Sequence, residues 1–98
     1  MKIRVLDAEE RDLEDGANFY ERQMPGLGAY FFDSLDQDIL TLERFAGIHR
    51  RVYGHHQLLS KKFPYAIYYE VDGDLALVNA VIDCRRDPEW IREKLSLI

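Results

Sequence analysis

The chain has 98 residues, of which 47% are hydrophobic and 32% charged, and carries a net charge of −5. That is the composition of one folded domain over residues 1–98, globular rather than disordered, with little room for two domains. Cys84 is the sole cysteine, so no intrachain disulfide is open to it. This fits a reducing cytosol, as does the early acidic turn of MKIRVLDAEE, which is unlike a secretion signal. No apolar run approaches the roughly 20 residues of a membrane span. A cytoplasmic protein without membrane contact is expected.

Residues 2–6, KIRVL, alternate as a short strand does. Asp7 is placed to cap a helix, and Glu10 would complete a capping box. Leu13, Ala17, Tyr20 and Met24 then recur at helical spacing until Pro25-Gly26 breaks the pattern. Phe31, Leu35, Ile39, Leu42 and Ala46 mark a second helix over 27–46, ended by Gly47. Two amphipathic helices on a short link imply an antiparallel helical hairpin.

From residue 50 the period changes to two. A strand over 50–60 is interrupted near Gly54. FPYAIYYEV (63–71) and LALVNAVID (75–83) form a hairpin about Asp72-Gly73. Asp87-Pro88 supplies an N-cap and an N1 proline for a last helix. Closing Val71 on Asp74 would give one apolar face, Phe63, Tyr65, Ile67, Tyr69, Val71, Ala76, Val78, Ala80 and Ile82, to pack under the helices. The other face, with Tyr68 and Asn79, would stay open, and Lys62 would lie opposite Asp83. The fold class expected is α+β: a short N-terminal strand, a helical hairpin on a mainly antiparallel sheet, and a short C-terminal helix.

Charge is segregated along the chain. Residues 1–43 carry net −7, residues 70–98 carry −3, and residues 44–69 hold five cations and no acid. Lys61-Lys62 precede one hairpin strand and Arg85-Arg86 follow the other, so the topology would gather four cations at one sheet end, with Arg50 and Arg51 on the adjacent strand. Such a cluster suits a polyanion or a partner's acidic segment. Tyr68, Asn79 and Asp83 complete the candidate binding face. His49, His55 and His56 lack metal-site spacing, and MPGLGAYF is a turn rather than a phosphate loop, so neither metal nor cofactor is expected.

GLGAYFFDSLDQDILTL, KKFPYAIYYEV and AVIDCRRDPEWIREKL occur in the order seen in the RelE/ParE superfamily, toxins of bacterial type II toxin–antitoxin systems that include plasmid stabilisation proteins. The chain resembles that superfamily over nearly its whole length. The resemblance implies a cognate antitoxin as partner, the sheet as working surface, and DNA gyrase or ribosome-bound mRNA as target; a homodimer is a further option. In the RNA-cleaving branch basic side chains stabilise the phosphate transition state, roles that would fall here to Lys62, Arg85 and Arg86. Asp83, however, stands where the family has a histidine, and no tyrosine follows Tyr69. The resemblance therefore points to the ParE-like branch, which acts through protein contacts, ahead of the nuclease branch or a non-toxic interaction domain.

Overall fold

The computed structural model describes residues 1–98. Its elements are β1 (Lys2–Val5), α1 (Asp7–Gln23), α2 (Leu27–Leu40), α3 (Leu42–Phe45), β2 (Arg51–Val52), β3 (His55–Leu59), β4 (Tyr65–Asp72), β5 (Leu75–Asp83) and α4 (Pro88–Ser96). The strands form one sheet in the order β1-β5-β4-β3-β2, with β1 parallel to β5 and the other pairs antiparallel. This is the expected α+β architecture.

Local chemistry sets the boundaries. Helix α1 begins one residue early, because the Leu6 carbonyl accepts from the Glu9 and Glu10 amides at 2.9 and 3.0 Å. Asp7 therefore lies inside the first turn with Glu9 and Glu10 and makes no capping box; the three acids instead face the positive end of the helix dipole. Helix α2 has no capping side chain of its own. Glu21 of α1 serves instead, accepting from the Gly26 amide at 3.1 Å and the Gly28 amide at 3.0 Å. The single helix expected over 27–46 is divided at Thr41, whose hydroxyl bonds back to the Asp38 carbonyl at 2.6 Å. The interrupted strand over 50–60 is a tight hairpin, with Tyr53 and Gly54 both at positive φ, as a type I′ turn requires.

The β4–β5 register differs from the expected one. Asp72 pairs with Leu75, so the turn is Gly73-Asp74 rather than Asp72-Gly73. Gly73 has φ +59 while Asp74 does not cross to positive φ, and a turn of that kind needs glycine at its first central position. A second shift follows. Tyr69 pairs with Val78 but Tyr68 pairs with Ala80, which leaves Asn79 as an extra residue in a β-bulge.

The bulge divides β5 between two cores. Before it, Ala76 and Val78 join Ile67 and Tyr69 under the helical hairpin, against Leu13, Phe31, Leu35, Ile39 and Leu42. After it the alternation inverts. Val81 enters the hairpin core, while Ala80 and Ile82, expected there, turn to the opposite face with Ala66 and Tyr68. That face is not open: Ile91 and Leu95 of α4 cover it. Phe31, Leu35, Leu42, Ile67, Tyr69, Val78 and Leu95 are fully buried, each stabilising the fold by about 1.5–3 kcal/mol relative to exposure.

An aromatic cluster fixes the hairpin to one end of the sheet. Phe31 lies 5.0 Å from Tyr20, 5.0 Å from Phe63 and 4.9 Å from Tyr65, ring centre to centre. Gly16 of α1 makes room for it, since a Cβ there would stand 2.8 Å from two Phe31 ring carbons and 3.3 Å from the Tyr65 hydroxyl oxygen. Two effects compete in Gly16→Ala. Alanine gains roughly 1 kcal/mol of helix propensity, but overpacking a buried ring costs about 1–3 kcal/mol. Because Phe31 is hemmed in by three other rings, Gly16→Ala is expected to destabilise the protein, measured as a lower urea midpoint at unchanged m-value.

Candidate functional site

Strand β5 ends at Asp83, opposite Tyr65 of β4, and residues 84–87 then turn into α4. The Asp87 carboxylate accepts from the Glu89 amide and Pro88 occupies the first turn, so the strand's end and the helix's start are rigidly joined. Asp83 and Arg85 form a fork-to-fork pair, with Nε at 2.9 Å from Oδ1 and Nη2 at 2.7 Å from Oδ2. The Arg85 backbone amide also donates to Asp83. These hydrogen bonds hold the Asp83 carboxyl below the usual carboxylate range and raise the Arg85 guanidinium. Arg85 also reaches the Tyr20 hydroxyl at 3.4 Å.

Arg86 lies across the face of Trp90, 4.3 Å from the ring centre, and Lys94 approaches the same ring at 5.2 Å. Lys94 pairs with Asp12 of α1 at 3.5 Å. Between α1 and α4 these side chains enclose a cleft of about 340 Å³, lined also by Asp15, Phe19, Tyr65 and Asp83. Burial, and after it the Asp83 charge, pushes the Tyr65 hydroxyl up to about 12. Tyr65 is therefore a hydrogen-bond donor at neutral pH and no general base.

The four cations expected at one sheet end do not converge. Asp83, Arg85 and Arg86 are together. Lys62 sits 5.0 Å over Tyr30, on the other side of the aromatic cluster, since Tyr30 contacts Phe63 and Phe63 contacts Tyr20. Lys61 and Lys62 line a separate hollow against Asp33, Gln37 and Asp38 of α2. Asp83 faces Tyr65 rather than Lys62. Arg51 is on the far edge, bonded to the Gly54 carbonyl and 3.4 Å from Glu70. Arg50 is exposed on the approach to β2.

Tyr68 and Asn79, expected on an open binding face, are 3% and 6% exposed. Tyr68 lies beneath α4 and its hydroxyl accepts from Gln57 at 3.1 Å; Asn79 is the bulge residue and its Oδ1 has no partner. Tyr68 is covered because α4 folds back across the sheet, and Asn79 is turned from its expected place by the bulge. The sequence signal for that cover is the Ile91–Leu95 spacing, which gives the last helix an apolar stripe with nothing else to cover. Trp90 and Lys94, one turn apart, and Asp12, Asp15 and Phe19 along one side of α1 are the site residues that strand-based reasoning passes over.

The histidines brace the structure. The buried Tyr69 hydroxyl accepts from the Gly47 amide at 2.9 Å and meets Nδ1 of His49. His56 stacks on the Tyr69 ring and donates from Nδ1 to the His49 carbonyl at 2.7 Å. His55 ties β3 to α4 through the Leu95 carbonyl at 3.0 Å. No three histidine, cysteine or carboxylate side chains come together to hold a metal ion, and no helix is long and apolar enough to cross a membrane.

No protein-family model and no curated protein matches the chain. Among solved structures, a chain of the chromosomal ParDE toxin–antitoxin system from P. aeruginosa superposes with a TM-score of 0.76 at 15% identity, over 85% of this chain and 95% of that one. The two share a fold.

Two predictions arise from the site. Asp83 is half-buried but its partner Arg85 is exposed, 23% and 57% accessible, so solvent screens the pair and Asp83→Asn should cost about 1 kcal/mol at pH 7. Because the Asp83 carboxyl is held low, its contribution is present above about pH 4 and fades as the pH falls further; urea unfolding of both forms at pH 7 and pH 3 checks this. Burial, and then His56, lowers the His49 imidazole. The unfolded chain therefore takes up the proton first, and stability is expected to fall as the pH drops below about 6.5. His49→Gln should flatten that part of the stability–pH curve.

Proposed function

We propose that this chain is the toxin of a type II toxin–antitoxin pair, of the ParE-like kind that acts on its target through protein contacts and is neutralised by a cognate antitoxin. The fold shared with a ParDE chain supports the toxin–antitoxin reading. The observation that carries the non-nuclease reading is the Asp83–Arg85 pair. A phosphoryl-transfer site needs an uncommitted cation where charge develops, and the guanidinium at this position is neutralised by its neighbour. Lys62 stands apart from it, and Tyr65 stays protonated at neutral pH. Arg50, Arg51, Lys61 and Lys62 supply cationic contacts for an acidic antitoxin segment, and gyrase is the target the ParE-like reading implies.

One feature favours the RNA-cleaving alternative: Arg86, the Tyr65 hydroxyl and two aromatic rings line a single cleft, which suits a stacked base beside a phosphate. Induced expression without an antitoxin separates the readings. Growth arrest, inhibited gyrase supercoiling and unchanged RNA ends are the expected results. Codon-positioned RNA cuts that disappear in Arg86→Ala would replace the proposal with an endoribonuclease. Unimpaired growth would leave a non-toxic interaction domain.

A further inference from the structure

Two adjoining hollows form a groove along the seam between α1 and α2, running down to Val5 of β1 at the sheet edge. One hollow of about 480 Å³ is lined by Glu14, Ala17, Asn18, Glu21, Ala29, Phe32 and Asp33 among others. A second, of about 290 Å³, runs on through Glu10, Leu13, Asp36 and Ile39 and shares Glu14 and Phe32 with the first. The floor is apolar, and Phe32 at its middle is 41% exposed. Every charged residue of the rim is acidic, with Asn18 the neutral polar one: no lysine, arginine or histidine lines either hollow. Glu21 is spent on capping α2. Glu10, Glu14, Asp33 and Asp36 are exposed, and none enters an ion pair within the chain.

We propose that this groove is a docking surface for a basic amphipathic helix of a partner protein. Such a helix would set an apolar stripe on Ala17, Ala29 and Phe32 and spread lysines or arginines to the two acidic rims. From Glu10 to Glu21 the groove follows about three helical turns, roughly 17 Å at 1.5 Å per residue, a length that one short helix fills through anchors at i, i+3/i+4 and i+7. Charge selects the partner. Four unpaired carboxylates bordering exposed apolar surface repel one another and exclude an acidic segment, whereas a cationic one gains affinity and a faster encounter. A second copy of this chain, docked symmetrically through the same face, would set like charges against each other. The surface is separate from the α1–α4 cleft, and the inference stands without the toxin reading.

The probe is a synthetic lysine/leucine peptide of about 14 residues with leucines at helical spacing, compared with its glutamate/leucine counterpart. Amide NMR of the protein should show the lysine peptide shifting residues 10–21 and 28–39 and the glutamate peptide leaving them unmoved. Glu14→Lys/Asp36→Lys, both at exposed positions, should weaken binding by on the order of tenfold, and Phe32→Ala should weaken it independently of salt. Shifts centred elsewhere, equal binding by the charge-reversed variant, or equal binding of the two peptides would overturn the proposal. So would concentration-dependent shifts of the same residues without peptide, which would assign the groove to self-association.

Discussion

Strand β5 has to serve two cores at once, and a single extra residue lets it do so. Leu75–Asp83 is almost continuously apolar, so simple alternation does not decide which side chains face which helices. The bulge at Asn79 decides it. Ala76, Val78 and Val81 are delivered to the hairpin, and Ala80 and Ile82 to α4. Without the bulge, Val81 would lie under α4, and Ala80 and Ile82 would press on the hairpin. The same shift sets Asp83 opposite Tyr65, which brings the carboxylate to the mouth of the α1–α4 cleft. Asn79 itself is buried, and its Oδ1 finds no protein partner where the chain changes register.

Most of the architecture was legible because it rests on strong local signals. The 3.6 period of Leu13, Ala17 and Tyr20, the Pro25-Gly26 break and the Asp87-Pro88 start each announce an element whose existence is then observed. Register was not legible to one residue. Asp72-Gly73 and Gly73-Asp74 are both good turn dipeptides with Gly73 at positive φ, and what separates them is that Asp72 stays out of the positive-φ region and pairs with Leu75. The bulge leaves no mark in composition, because Asn79 reads equally well as a polar residue on an open face. The candidate site was half visible. Asp83, Arg85 and Arg86 are neighbours in sequence and remain so in space, whereas the separation of Lys62 depends on the Tyr30–Phe63–Tyr20 packing, a tertiary fact.

The electrostatic pattern also changes meaning in three dimensions. The basic segment 44–69 is a continuous run in sequence, but its cations are dispersed: Arg51 to Glu70, Lys62 to the face of Tyr30, Lys61 to the hollow beside Asp38. The acids of residues 1–43 do the opposite. They are scattered in sequence at helical intervals, and the antiparallel pairing of α1 and α2 brings Glu10, Glu14, Glu21, Asp33 and Asp36 together along one groove. Segregated charge therefore yields a concentrated negative surface and a diffuse positive one.

Strand β1 is made first and pairs with β5, Lys2 lying beside Leu75. That contact bridges about three-quarters of the 98 residues, and the helix that seals the sheet's other face follows β5. During translation, therefore, the earliest strand has no neighbour until the synthesis of β5, and the platform lacks its cover until α4 emerges. A chain cut between β5 and α4 would keep the closed sheet but leave Ala66, Tyr68, Ala80 and Ile82 uncovered and the α1–α4 cleft without one wall.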